Sequence, residues 1–93
     1  MSEKYEQVWL DCAGWQSKEQ LHKELKEALR FPDWYGNNLD ALHDLLTELD
    51  GIELVLDHTG ALKENMGAYG QSLLRVVMDS ARENKGFRAM LRP

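Results

Sequence analysis

The stretch Ile52-Glu53-Leu54-Val55-Leu56-Asp57 is nearly continuous in its apolar character. A run of that length and composition suits a strand buried on both faces, the central strand of a parallel sheet. Parallel neighbours cannot be joined by hairpins, so the rest of the chain has to supply helical crossovers and flanking strands. Asp50-Gly51 makes the turn that leads into the run. Two flanking strands are legible: Tyr5 to Asp11, which contains Val8-Trp9-Leu10 and is broken by Gly14, and Phe87-Arg88-Ala89-Met90-Leu91. The spacing predicts the order strand, helix, helix, strand, loop, helix, strand. That is an α/β fold, a small parallel sheet packed with helices. The order of the strands across the sheet does not follow from the sequence.

The helices announce themselves by spacing and punctuation. Ser17-Lys18-Glu19-Gln20 is a capping-box pattern, and Leu21, Leu25, Ala28 and Leu29 then recur at helical intervals. Glu19 and Lys23 form an i, i+4 pair in the favoured order. A helix over 17–30 follows, stopped by Pro32. His22 lies near its apolar edge, with no second ligand at metal spacing, and is read as a packed or surface histidine. Leu73, Leu74, Val77, Met78 and Ala81 mark a last helix over 71–84. Between His58 and Gly70, glycines at 60, 67 and 70 predict a loop with at most a short helix around Leu62 to Asn65. There is no repeat, low-complexity segment or linker, and 93 residues with 43% hydrophobic content suit one domain over residues 1–93.

The stretch from Phe31 to Leu49 carries the chemistry. Pro32 and the run Gly36-Asn37-Asn38 are turn and capping residues, and either asparagine can start the helix that follows. In that helix Leu39, Leu42, Leu45, Leu46 and Leu49 cluster on one arc, while Asp40, Asp44, Thr47 and Glu48 gather on the opposite one. Acidic faces are commonly no more than solvated surface. Here, however, Asp40, Asp44 and Glu48 stack like charges at i, i+4, i+8, each pair destabilising by roughly 0.2–0.5 kcal/mol. No Lys or Arg occurs between Arg30 and Lys63, although seven acids do. Trp34 and Tyr35 sit in the turn as large aromatics that turn geometry does not require, and such residues are enriched at binding surfaces. A concentrated negative field beside exposed aromatics points to a cationic partner.

The run Pro32-Asp33-Trp34-Tyr35-Gly36-Asn37-Asn38-Leu39-Asp40-Ala41-Leu42-His43-Asp44 resembles the signature of the barstar family, intracellular protein inhibitors of barnase-type secreted ribonucleases. The resemblance extends over nearly the whole chain in length and order of elements. It implies a barstar-like fold with a three-stranded parallel sheet, a 1:1 complex with a basic ribonuclease and a toxin–immunity role. It also implies roles for residues. Asp44 matches the aspartate that enters the ribonuclease active site in place of the substrate phosphate. Asp40 matches the other principal acidic contact and Thr47 a polar one. Gly36 and Asn38 match the loop over the active-site mouth, and Trp34 falls where the family often has Tyr. The partner-binding surface so expected comprises Trp34, Tyr35, Gly36, Asn38, Leu39, Asp40, Ala41, His43, Asp44, Thr47 and Glu48. Two positions depart from the family pattern. His43 stands where its best-known member has Trp, and a family glutamate on the last long helix aligns with Ser80, with Asp79 beside it on another face.

Composition narrows the alternatives. The net charge of −5 disfavours nucleic acid and anionic membranes as partners. A single cysteine, Cys12, cannot form an internal disulfide and reads as a buried reduced thiol. With no apolar run of signal-peptide or membrane-spanning length, the expected location is the cytoplasm. An enzyme built on Asp40, His43 and Asp44 would have a solvent-facing edge, no pocket and no nucleophile. Neither catalysis nor a cofactor or metal is therefore expected. The competing class is an acidic interaction module for a different basic toxin or regulatory protein, which would use the same ridge.

Overall fold

The computed structural model describes residues 4–93, and the apolar run is indeed its middle strand. β2 (Ile52–Asp57) lies between β1 (Glu6–Asp11) and β3 (Phe87–Leu91), all parallel, in the order β1-β2-β3. Alternation then divides the sheet into two faces. Val8, Leu54 and Ala89 share one row and Leu10, Leu56 and Leu91 another, and all six pack with the helical core. Gln7, Trp9 and Asp11 on β1 and Glu53, Val55 and Asp57 on β2 point the other way, as side chains two residues apart must.

Helix α1 (Lys18–Leu29) buries Leu21, His22, Leu25 and Leu29. Its start is the expected cap: the Gln20 N–H donates to Ser17 Oγ at 3.1 Å, while Gln20 Oε1 accepts from the Gln16 N–H, one residue upstream of the usual reciprocal bond. The helix ends at Arg30 in the left-handed region, just before Pro32. Cys12 sits at the start of a short 3-10 turn after β1, fully buried. Desolvation pushes its thiol up to about 12, which leaves it unreactive. Helix α2 (Leu39–Leu46) packs on α3 (Thr59–Glu83). Among the described residues, no helix is long and apolar enough to cross a membrane.

The expected loop over 58–70 is wrong: this stretch is helical from Thr59, and α3 carries a kink at Gly67 (φ 57°, ψ −131°). Glycine costs about 1 kcal/mol in a helix interior, and tertiary packing overrides that here. Leu62 is fully buried, and Gly70 is tucked against it so closely that an added Cβ would stand 2.9 Å from the Leu62 carbonyl oxygen. The first turn is tied down at the far end of the sheet. The Thr59 N–H and hydroxyl both donate to the Arg92 carbonyl, at 2.9 and 3.1 Å.

These glycines should answer differently to substitution. At both Gly60 and Gly67 an added Cβ meets open space, but only Gly67 has a positive φ. Gly67→Ala should therefore destabilise by about 1–3 kcal/mol through backbone strain alone, whereas Gly60→Ala should stabilise by about 0.5 kcal/mol. Urea denaturation of the two variants checks this, and equal shifts would mean that the chain does not bend at residue 67.

Candidate functional site

The turn before α2 is built by its two asparagines, which do different work. Asn37 takes the left-handed conformation (φ 55°), which asparagine tolerates better than most residues. Asn38 is the cap: its Oδ1 accepts from the Ala41 N–H at 2.8 Å and its amide donates to the Gly36 carbonyl at 3.2 Å. The Tyr35 N–H closes the preceding turn onto the Pro32 carbonyl at 3.0 Å. Gly36 lies against this cap, so that an added Cβ would stand 3.2 Å from Asn38 Nδ2.

The two aromatics of the turn do not share a fate. Trp34 is 74% exposed. Tyr35, expected as a second exposed aromatic, is instead buried, with its ring 4.9 Å from that of Phe31. Its hydroxyl lies 2.6 Å from His22 Nδ1, and His22 Nε2 lies 2.7 Å from the Tyr69 hydroxyl. Burial holds the His22 imidazole below its ordinary range and pushes both tyrosine hydroxyls up. A neutral imidazole has one N–H and one bare nitrogen, so one tyrosine accepts from it and the other donates to it. His22 is thus a core histidine, and Tyr35 anchors the turn that displays Trp34.

On α2, Leu42 and Leu46 are fully buried and Leu45 nearly so, while Leu39 and Ala41 are half-buried. Asp40, Asp44 and Glu48 are exposed. Trp34, Gly36, Asp44, Thr47 and Glu48 line one groove of about 390 Å³, floored by Ala41 and Leu45. Asp40 instead lines a separate hollow with Lys18 and Tyr69. The ridge is also less isolated in space than in sequence, since Lys26 stands 3.8 Å from Asp33 at the turn. The helix is shorter than its apolar repeat predicts. It ends at Leu46 with Thr47 as its C-cap, so Glu48 sits in the following turn. All four of its last carbonyls are satisfied. The Thr47 N–H and hydroxyl reach His43, that hydroxyl also reaches Asp44, the Glu48 N–H reaches Leu45, and Asn84 Nδ2 reaches Leu46. The Thr47 hydroxyl proton is therefore engaged with its own helix.

His43 turns toward α3. Its Nε2 lies 3.1 Å from Glu83 Oε2 and its Nδ1 3.9 Å from Asp44 Oδ1. Its pKa is raised, chiefly by the Glu83 hydrogen bond and secondarily by Asp44. Glu83 is the residue that sequence reading missed; it lies one helical turn beyond Ser80. Ser80 is fully buried, and among the described residues its hydroxyl has no hydrogen-bond partner, so position 80 offers a partner nothing. Asp79 is paired with Arg82. Among the described residues, no three His, Cys, Asp or Glu side chains converge as metal ligands would.

Comparison with known proteins agrees with this architecture. The family model described as Barstar (barnase inhibitor) matches residues 5–92. The chain is 36% identical over 80 residues to a protein of Bacillus subtilis (strain 168) named "Putative ribonuclease inhibitor YrdF". That match covers 84% of this chain and 88% of the relative. The chain belongs to the barstar family.

The His43–Glu83 pair has a titration consequence. Glu83→Gln should lower the His43 pKa toward the ordinary value of about 6.5, and Asp44→Asn should lower it less, both read by NMR titration of the imidazole. Because the folded-state pKa is the higher one, the stabilisation from His43 is complete below about pH 6.5 and is lost as pH rises through the folded value. In Glu83→Gln that pH dependence should flatten. An unmoved His43 pKa would remove Glu83 as the cause.

Proposed function

We propose that this chain is a protein inhibitor of a barnase-type secreted ribonuclease and acts in the cytoplasm by occlusion, without catalysis of its own. Membership of the barstar family and a relative named as a ribonuclease inhibitor support the class. The observation that carries the mechanism is the groove in which an exposed indole, Trp34, stands beside the carboxylates of Asp44 and Glu48. A nuclease cleft that holds RNA phosphates is necessarily cationic. Carboxylates fixed on a capped helix meet those cations without first being ordered, so less of the attraction is lost to entropy. Asp44, in the last turn of α2, takes the phosphate position in one enzyme per inhibitor. Asp40 engages a second cation from the other side of the ridge, and Trp34 covers the rim. His43, drawn toward Glu83, leaves the groove to the carboxylates. An RNA-cleavage assay of a barnase-type enzyme, with and without this chain, tests the reading; unchanged cleavage at excess inhibitor would refute it.

Two quantitative outcomes follow from the geometry. Asp44→Ala should weaken the complex by about 3–5 kcal/mol, because it strands desolvated cations of the enzyme. Glu48→Ala, in the solvated turn, should cost about 1 kcal/mol or less. Equal, small losses from titration calorimetry would contradict the assignment of Asp44.

The association rate should be steeply salt-dependent and the dissociation rate much less so, because the ridge acts on the approach of a basic partner across solvent. Stopped-flow mixing over a salt series measures both. A salt-insensitive association rate would mean that the docking surface lies elsewhere.

A further inference from the structure

A second groove, of about 520 Å³, lies between α3 and the outer strand β3 and shares no residue with the groove beside Trp34. Arg75, Met78 and Arg82 recur along α3 at i, i+3 and i+7, so they form one stripe down the helix. Leu91 lines the groove from β3, and Lys63 from beyond the kink at Gly67. Met78 and Leu91 are half-buried and give it an apolar floor, while Lys63, Arg75 and Arg82 stand exposed along it. Arg82 is held by Asp79. Lys63 and Arg75 have no carboxylate partner among the described residues. In a chain of net charge −5, unpaired cations around an apolar strip attract an acidic partner with an apolar side chain to insert.

The same molecule displays such a surface. Trp34 is 74% exposed, and among the described residues no cation lies over its ring. Asp44 and Glu48 share its groove and are exposed. Glu48 has no cationic partner among the described residues, and the nearest to Asp44 is His43 at 3.9 Å. An indole flanked by two carboxylates is the counterpart of an apolar strip flanked by two free cations. Every copy of the chain carries both.

We infer that the Trp34 edge of one copy docks in the α3–β3 groove of a second copy, with the indole on Met78 and Leu91 and the carboxylates on Lys63 and Arg75. The two surfaces differ, so the contact is heterologous and copies add head to tail. A tryptophan buries about 150–250 Å². With its flanking charges the contact still falls well short of the roughly 800 Å² per partner of a stable interface, so association is weak and needs high concentration. The like net charges of the copies oppose it. At physiological ionic strength that repulsion is screened beyond about 8 Å, whereas the contact pairs lie within that range. Because the contact covers Trp34 and Asp44, self-association and a ribonuclease compete for one surface. This last consequence rests on the function proposed above: copies held head to tail are a reserve from which the enzyme draws inhibitor.

Sedimentation equilibrium at physiological salt, over a concentration series into the millimolar range, tests the contact without any enzyme. The average mass of the wild type should climb with concentration. Trp34→Ala and the double variant Lys63→Glu/Arg75→Glu should each stay at one chain, and all three positions are exposed, so folding is spared. Lys23→Glu/Lys85→Glu, which makes the same charge change at exposed positions elsewhere, should still associate. An equimolar mixture of the Trp34 variant and the groove variant has one intact edge and one intact groove per pair, so it should form pairs and stop at two. A wild type that stays monomeric would overturn the inference, as would a mixture that fails to pair or a loss of association in the Lys23/Lys85 variant. Adding an equimolar barnase-type enzyme to the wild type should then convert the assemblies to 1:1 complexes. Assemblies that persist with the enzyme bound would also overturn the inference. An enzyme that does not bind counts instead against the proposed function, and the sedimentation result stands without it.

Discussion

The buried chain Tyr35–His22–Tyr69 is the constraint on which the placement of the acidic face depends. It joins α1, the turn before α2 and α3 just beyond its kink, through two hydrogen bonds of 2.6 and 2.7 Å. All three groups are polar, so each would be costly to bury alone. Linked, the imidazole satisfies both hydroxyls and neither leaves a bare partner behind. The arrangement is directional, unlike the leucine contacts around it, and so fixes the turn in one orientation. Trp34 is adjacent in sequence and points the other way, so anchoring Tyr35 inside is what presents the indole outside.

The far end of α2 is held just as closely. Asn84 donates from its amide to the carbonyls of both Leu46 and Leu49, at 3.0 and 2.7 Å, while its Oδ1 accepts from the Gly86 N–H. Gly86 permits this approach: an added Cβ there would lie 2.8 Å from the Leu49 carbonyl oxygen. The segment after α3 therefore holds the end of the acidic helix and also leads directly into β3. Carboxylates on a helix fixed at both ends meet a partner already in place, which suits electrostatic recognition.

Much of this was legible in the sequence because it rests on local chemistry. The run from Ile52 to Asp57 announced a middle strand, and the Ser17 cap and Pro32 bounded α1. Either Asn37 or Asn38 could have capped α2; only φ separates them, and Asn37 is the one in the left-handed region. What was not legible depends on contacts distant in sequence. The glycines at 60, 67 and 70 signal a loop until Leu62 and Gly70 are seen to pack together. Tyr35 reads as exposed because its partner His22 lies 13 residues away, and the second partner of His22, Tyr69, lies 47 residues from that histidine. Glu83 meets His43 across 40 residues, and aligning a family glutamate to Ser80 pointed to a buried position one turn short of it.

The acidic ridge also shows which energies the fold sets against each other. Helix α2 has eight residues, too few to persist alone in water. Asp40 and Asp44 add a like-charge pair worth roughly 0.2–0.5 kcal/mol of destabilisation, and no lysine or arginine on α2 relieves it. Against this, Leu42 and Leu46 are wholly buried and Leu45 nearly so, each contributing about 1.5–3 kcal/mol. Burial exceeds the repulsion several-fold. The inward face can therefore hold the helix whatever charges its outward face carries, which leaves the composition of that outward face open to the demands of a partner.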